Sequence, residues 1–212
     1  MTSIDFILDR SGSMHTCVND TLGGFNFFVE SQKKDNPDGK MSLILFAHDF
    51  DYIYKDKNVN KIENLNSTEY FPRGTTALLD AIGKTIKNSK DKKNHMIVIL
   101  TDGEENASKE YTLNHINDLI EMKKKEGWQF IFLGANQDAI KTGNNLGIPE
   151  DSAMTFNQEN VYNAFEGLSC AIGRQVSGQD ETVQFSGLER MASQPSPASP
   201  NGCETFTGLA RC

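Results

Sequence analysis

The chain has 212 residues, enough to bury a sizeable core and to hold one domain with a tail. Its 29 acidic and 21 basic residues leave a formal net charge of -8, which argues against a general affinity for nucleic-acid phosphates. No apolar run approaches the roughly 18 residues of a membrane span, and no Gly-x-x-x-x-Gly-Lys loop is present to cradle nucleotide phosphates.

The first element runs from Ile4 to Asp9 and continues as Arg10-Ser11-Gly12-Ser13-Met14. An apolar run with strand character ends in a carboxylate, and two hydroxyls follow at alternate positions across a glycine that permits a tight turn. These are hard oxygen ligands at a strand exit. They suit a small cation such as Mg²⁺ or Mn²⁺, which takes few protein oxygens and keeps several waters.

A helix is expected over Val18 to Gln32, with Leu22, Phe25, Phe28 and Val29 on one face. The turn Asn36-Pro37-Asp38-Gly39 precedes an apolar strand from Met41 to Phe46 and a second strand from Asp51 to Tyr54. Their short connection through His48 and Asp49 requires a hairpin, and therefore one antiparallel neighbour. Residues 56 to 71 are polar and irregular. A Gly74-Thr75-Thr76 turn then opens a helix from Ala77 to about Ser89, leaving a hydroxyl at its start.

Met96 to Thr101 is apolar, as a central parallel strand should be, and ends in Asp102-Gly103. Ser108 is expected to cap a helix from Lys109 to Lys124, with Leu113, Ile116, Leu119 and Ile120 inward. A strand from Gly127 to Leu133, a short helix through Ile140, a strand near Met154 to Phe156 and a helix from Glu159 to Arg174 complete the alternation. Phe25, Phe28, Phe46, Phe130 and Phe132 follow these periods and are assigned to the core. From Ser177 the composition turns to Ser, Gln, Pro, Gly and charge, which predicts a disordered tail over 177–212 behind a domain at 1–176. A Pro-rich segment, Gln194 to Pro200, is the alternative use of that tail as a partner ligand.

The alternation indicates an α/β fold: an open, mostly parallel, Rossmann-like sheet with one antiparallel edge strand and helices on both faces. Right-handed crossovers bring Asp9 and Asp102 to the same sheet edge, where such sheets bind ligands. Asp9, Ser11, Ser13, Thr76 and Asp102, in this order and after strands, resemble the metal-ion-dependent adhesion site of von Willebrand factor A domains. Segments such as Tyr70 to Gly74, Thr101 to Ser108 and Phe130 to Asp138 resemble, more closely, small stand-alone A-domain proteins of bacteria and their phages.

The resemblance implies that Asp9, Ser11 and Ser13 form the constant shell, that Thr76 joins directly or through water, and that Asp102 acts through a water. An open coordination position would accept an acidic residue from a protein partner. Alternatively, Ser11 and Ser13 are ordinary turn residues that bond their own backbone, but the presence of all five positions argues against that. Arg10, His48, Glu104, Glu105, Asn106, Asn136, Gln137 and Asp138 fall at strand exits and are candidates for a partner-binding rim, or for ordinary solvated loops.

A metal-dependent hydrolase of phosphate esters, with Asp9 or Asp102 as nucleophile or base, is the competing function. The motif carries no His and no Asp-x-Asp pair, so a binding module without catalysis is favoured. Such a module could equally be an accessory subunit of a larger complex. Lysines near 90–93 and 123–125 sit at expected helix ends, where cations favour the dipole. His15, His95 and His115 lack ligand spacing. Cys17, Cys170, Cys203 and Cys212 show no Cys-x-x-Cys pairing, so reduced thiols are expected. With the first strand this close to Met1, no signal peptide is expected and a cytoplasmic protein without membrane or nucleic-acid partners follows.

Overall fold

A computed structural model describes residues 2–89, 94–135 and 139–194. The lysines at 90–93, the rim candidates Asn136, Gln137 and Asp138, Cys203 and Cys212, and nearly all of the Pro-rich segment lie outside them.

Six strands form one sheet in the order β3-β2-β1-β4-β5-β6: β1 Ser3–Asp9, β2 Lys40–Phe46, β3 Phe50–Asn58, β4 His95–Thr101, β5 Gln129–Ala135 and β6 Ala153–Phe156. All neighbours are parallel except β2 and β3, the expected hairpin. β3 runs to Asn58, beyond the expected Tyr54, because a shift in register against β2 lets the Asp56 amide reach the Ser42 hydroxyl at 3.1 Å.

Alternation along β1 divides the core. Ile4, Phe6 and Leu8 face α1 (Val18–Asp35) and α5 (Val161–Val176), while Ile7 joins Ile44, Ile97, Ile99, Phe130 and Phe132. That second face is covered by α2 (Leu78–Asn88), α3 (Leu113–Lys125) and α4 (Ala139–Leu146). The Phe6 ring meets Phe25 edge-on with centroids 5.3 Å apart and stacks on Phe165 at 5.8 Å. Gly24 permits this crossing of α1 and α5, since an added Cβ would come within 2.3 Å of the Phe165 ring.

Helix α3 begins at Leu113 behind a Thr112 cap, rather than at Lys109 behind Ser108. The Asp80 carboxylate, in the first turn of α2, accepts the amides of Lys109, Glu110 and Tyr111, and so holds them out of a helix. Ser108 is engaged elsewhere: its hydroxyl donates to Glu105 and accepts the Asp80 amide. The late start leaves Leu113 40% exposed rather than inward.

The expected disordered tail is also corrected for its described part. Val183 and Phe185 are buried in the α1/α5 core, and α6 (Gly187–Ala192) follows with a capping box between Ser186 and Glu189. Arg174 of α5 draws the segment in by donating to Asp180, Glu189 and the Gln184 carbonyl. Cys17 is free and buried, whereas Cys170 is disulfide-bonded, so the expectation of reduced thiols fails at Cys170. Among the described residues no helix is long and apolar enough to cross a membrane.

Candidate metal centre

Strand order reverses at β1, between β2 on one side and β4 on the other. The carboxyl ends of β1 and β4 therefore open on a crevice that no crossover covers. Asp9 is the last residue of β1 and Asp102 follows the last residue of β4. The loop after Asp9 is tied to the Gly74 turn, because the Gly12 amide donates to the Gly74 carbonyl at 3.1 Å and the Arg73 amide to the Arg10 carbonyl at 2.7 Å.

Asp9 is fully buried. One of its carboxylate oxygens accepts the Ser11 amide at 2.6 Å, and the other accepts the Thr101 hydroxyl at 2.5 Å. Burial nevertheless pushes its pKa up to about 6 against these bonds, and the nearby Asp102 charge acts in the same direction. Asp102 is raised too, chiefly by burial, although the Ser13 hydroxyl and the Gln158 amide, both at 2.6 Å, favour its charged form. Ser11 and Ser13 place their hydroxyl oxygens 3.0 Å apart.

Thr76 completes the group. Its amide donates to the Asn106 side-chain oxygen at 2.9 Å, and its carbonyl accepts the Asn106 amide at 3.0 Å, so its backbone is pinned from both sides. Gly103 leaves the space into which its hydroxyl turns: an added Cβ there would lie 2.8 Å from Thr76 Oγ1 and 3.6 Å from Ser13 Oγ. The five residues picked from the sequence thus converge on one spot.

The donor set fits a hard divalent cation. Two carboxylates with raised pKa values share the spot with three hydroxyls, and among the described residues neither carboxylate has a cationic partner. The nearest arginine is engaged elsewhere. Arg10 is buried and donates to Asp49 at 3.0 Å and to Asp51, while Arg73 donates to Asp49 at 2.8 Å. Among the described residues no cluster of three or more His, Cys, Asp or Glu side chains offers a competing site.

The rim differs from expectation. Arg10 does not face a partner, because the β2–β3 turn and β3 bring Asp49 and Asp51 against it. Glu105 is likewise turned inward, accepting the amides of Leu79, Ala107 and Ser108 and the Ser108 hydroxyl. Asn106 acts on Thr76, as described above. His48 and Glu104 are exposed. Two rim groups escaped the sequence reading: Phe71, 57% exposed with the His15 ring edge-on at 5.9 Å, and the exposed Arg73. Thr101, Gln158 and Tyr70, whose hydroxyl donates to the Asp9 carbonyl at 2.8 Å, were also missed; only contacts between distant segments reveal them.

The sequence profile of the von Willebrand factor type A domain matches residues 4–168. No curated protein sequence gives a significant match. Among solved structures, the chain is similar to the type V pilus tip protein Mfa5 of Porphyromonas gingivalis. Its von Willebrand factor domain is 11% identical with a TM-score of 0.64, covering 82% of this chain and 96% of that one. Proximal thread matrix protein 1 from the mussel byssus, with a zinc-occupied MIDAS motif, is 17% identical with a TM-score of 0.61 over 81% of this chain and 46% of its own. The pilus adhesin SpaC of Lactobacillus rhamnosus GG is 15% identical with a TM-score of 0.63, over 82% and 31%. This chain spans less than half of the mussel protein's length. The matched profile, which covers most of the chain, places it in the von Willebrand factor type A domain family.

Proposed function

We propose that this chain is a protein-binding module that holds a divalent cation at Asp9, Ser11, Ser13, Thr76 and Asp102, and through it an acidic residue of a partner. The observation that carries this reading is the gathering of the buried Asp9 carboxylate, the half-buried Asp102 carboxylate and three hydroxyls, with no cationic side chain among the described residues to neutralise them. Mg²⁺ or Mn²⁺ suits such oxygens, and the zinc named for the mussel protein's motif belongs to that protein. When bound, the cation supplies a Lewis-acid contact at which a partner carboxylate completes the coordination.

What favours binding over phosphate-ester hydrolysis is the use already made of the carboxylates. Each is oriented by neutral donors, Ser11 and Thr101 on Asp9 and Ser13 and Gln158 on Asp102, and none of these partners is a histidine or an acid that could serve as a general base. Phe71, Arg73, His48 and Glu104 supply an apolar and charged rim around the crevice. The test is a calorimetric titration of the protein with Mn²⁺, followed by partner capture with and without EDTA. Saturable binding lost in Asp9→Asn, with capture abolished by EDTA, is the expected result; capture indifferent to EDTA would overturn the reading.

A further inference from the structure

Asp102 is held at both oxygens, and its second partner comes from a distant part of the chain. Ser13 donates to Oδ1, while Gln158 donates from Nε2 to Oδ2 at 2.6 Å. Gln158 lies in the short turn between β6 and α5, 56 residues beyond Asp102 and next to none of the five oxygen-bearing residues in sequence. Its other amide atom is also engaged: Oε1 accepts the Thr16 hydroxyl at 3.2 Å, and Thr16 follows closely on Ser13. The amide therefore has one orientation. Turned over, it would set its oxygen against a carboxylate oxygen, acceptor against acceptor.

We propose that Gln158 is a positioning residue for the metal centre, fixing the Asp102 carboxylate before a cation arrives and joining it to the start of α5. This rests on the metal reading given above. Asp102 follows the end of β4 in a half-buried loop, with Gly103 behind it. Without Gln158, the Ser13 hydroxyl would be the one side-chain donor left to it among the described residues, and Ser13 is itself exposed. A ligand oriented in advance loses less freedom when the cation binds, and partners of metal ligands commonly carry roughly 10-fold to 100-fold of the affinity. Glutamine suits the post better than a cation or an acid would. It donates to the carboxylate without neutralising the charge the cation needs, and it adds no like charge beside Asp102.

The test uses the full chain and Mn²⁺ as probe, with Gln158→Met, which keeps the length of the side chain and removes both polar atoms, and Thr16→Val, which removes the support of the amide together with the Thr16 bond to the Ser13 carbonyl. The dissociation constant is read by calorimetry and the thermal midpoint in EDTA. A positioning role predicts Mn²⁺ binding about 10-fold weaker in Gln158→Met, a smaller loss in Thr16→Val, and midpoints in EDTA close to wild type. Unchanged Mn²⁺ affinity in Gln158→Met overturns the proposal, as does a midpoint that falls in step with the affinity, the mark of a merely structural residue. If the wild-type chain takes up no Mn²⁺, the metal reading itself falls and this proposal with it; that failure is told apart by the wild-type titration alone.

Discussion

The carboxylate of Asp9, at the end of β1, accepts the hydroxyl of Thr101, the last residue of β4, at 2.5 Å. This bond ties together the two strands between which the sheet reverses order, and it leaves Asp9 with one fixed orientation in a fully buried position. The aspartate proposed as a ligand is therefore held by the strand that delivers the second aspartate.

Thr101→Val keeps the shape of the side chain and removes that donor. The β-branched replacement suits a buried central strand. Mn²⁺ affinity should fall by about 10-fold or more, since the partners of ligating carboxylates carry effects of that size. Titration calorimetry on the variant checks this, and an unchanged isotherm would show that Thr101 does not position Asp9.

Gly103→Ala should separate the site from the fold. The new Cβ would sit 2.8 Å from Thr76 Oγ1, closer than such atoms approach, and the hydroxyl would have to turn away. Metal binding should weaken by roughly 10-fold. The midpoint in EDTA should move by less than about 1 kcal/mol equivalent, because the position is half-buried and outside the apolar core. Thermal melts with and without Mn²⁺ read both quantities.

Asp80 makes a pH-dependent contribution to stability. Burial acts to raise its pKa, but the amides of Lys109, Glu110 and Tyr111 outweigh it and hold the carboxyl below its ordinary 3.8. The charged form is thus favoured by folding, so its stabilisation is fully present above 3.8 and is lost as pH falls through the lower folded value. Asp80→Ala should cost about 2 to 3 kcal/mol at neutral pH, where a charged acceptor is removed from three amides. The gap to wild type should narrow as denaturant melts are taken into the acid range below 3.8; a gap independent of pH would contradict the assignment.

Phe185→Ala should destabilise the chain by about 3 kcal/mol, the usual cost of emptying a buried phenylalanine site. Phe185 is 6% exposed and belongs to the core shared by α1 and α5. A melting temperature equal to wild type would show that the segment after α5 packs without holding the domain.

Strand and helix order, the antiparallel edge and the five oxygen donors could all be read from sequence, because each is announced by local chemistry. Apolar runs end in Asp9 and Thr101, and hydroxyls follow at turns. What could not be read depends on contacts between segments. Ser108 has the composition of a cap, but the carboxylate of Asp80, 28 residues earlier, takes the amides that would have opened a helix. Arg10 looks like a rim cation until the β2–β3 hairpin sets two aspartates against it. Val183 and Phe185 are two apolar residues in a polar stretch, too few to show a period, and their burial becomes visible only once Arg174 gathers the chain around it. Gln158 and Thr101 carry no motif of their own, since each is recognised only by the carboxylate of a distant segment that it reaches.

Whether the crevice holds a divalent cation is decided by the thermal midpoint of wild type and Asp9→Asn in EDTA and in millimolar Mn²⁺. A cation at about 100 times its dissociation constant adds roughly 2.7 kcal/mol to the folded state. A cation held by Asp9 should raise the wild-type midpoint with Mn²⁺ and leave that of Asp9→Asn unmoved. An equal response in both proteins, or no response in wild type across the millimolar range, would contradict it.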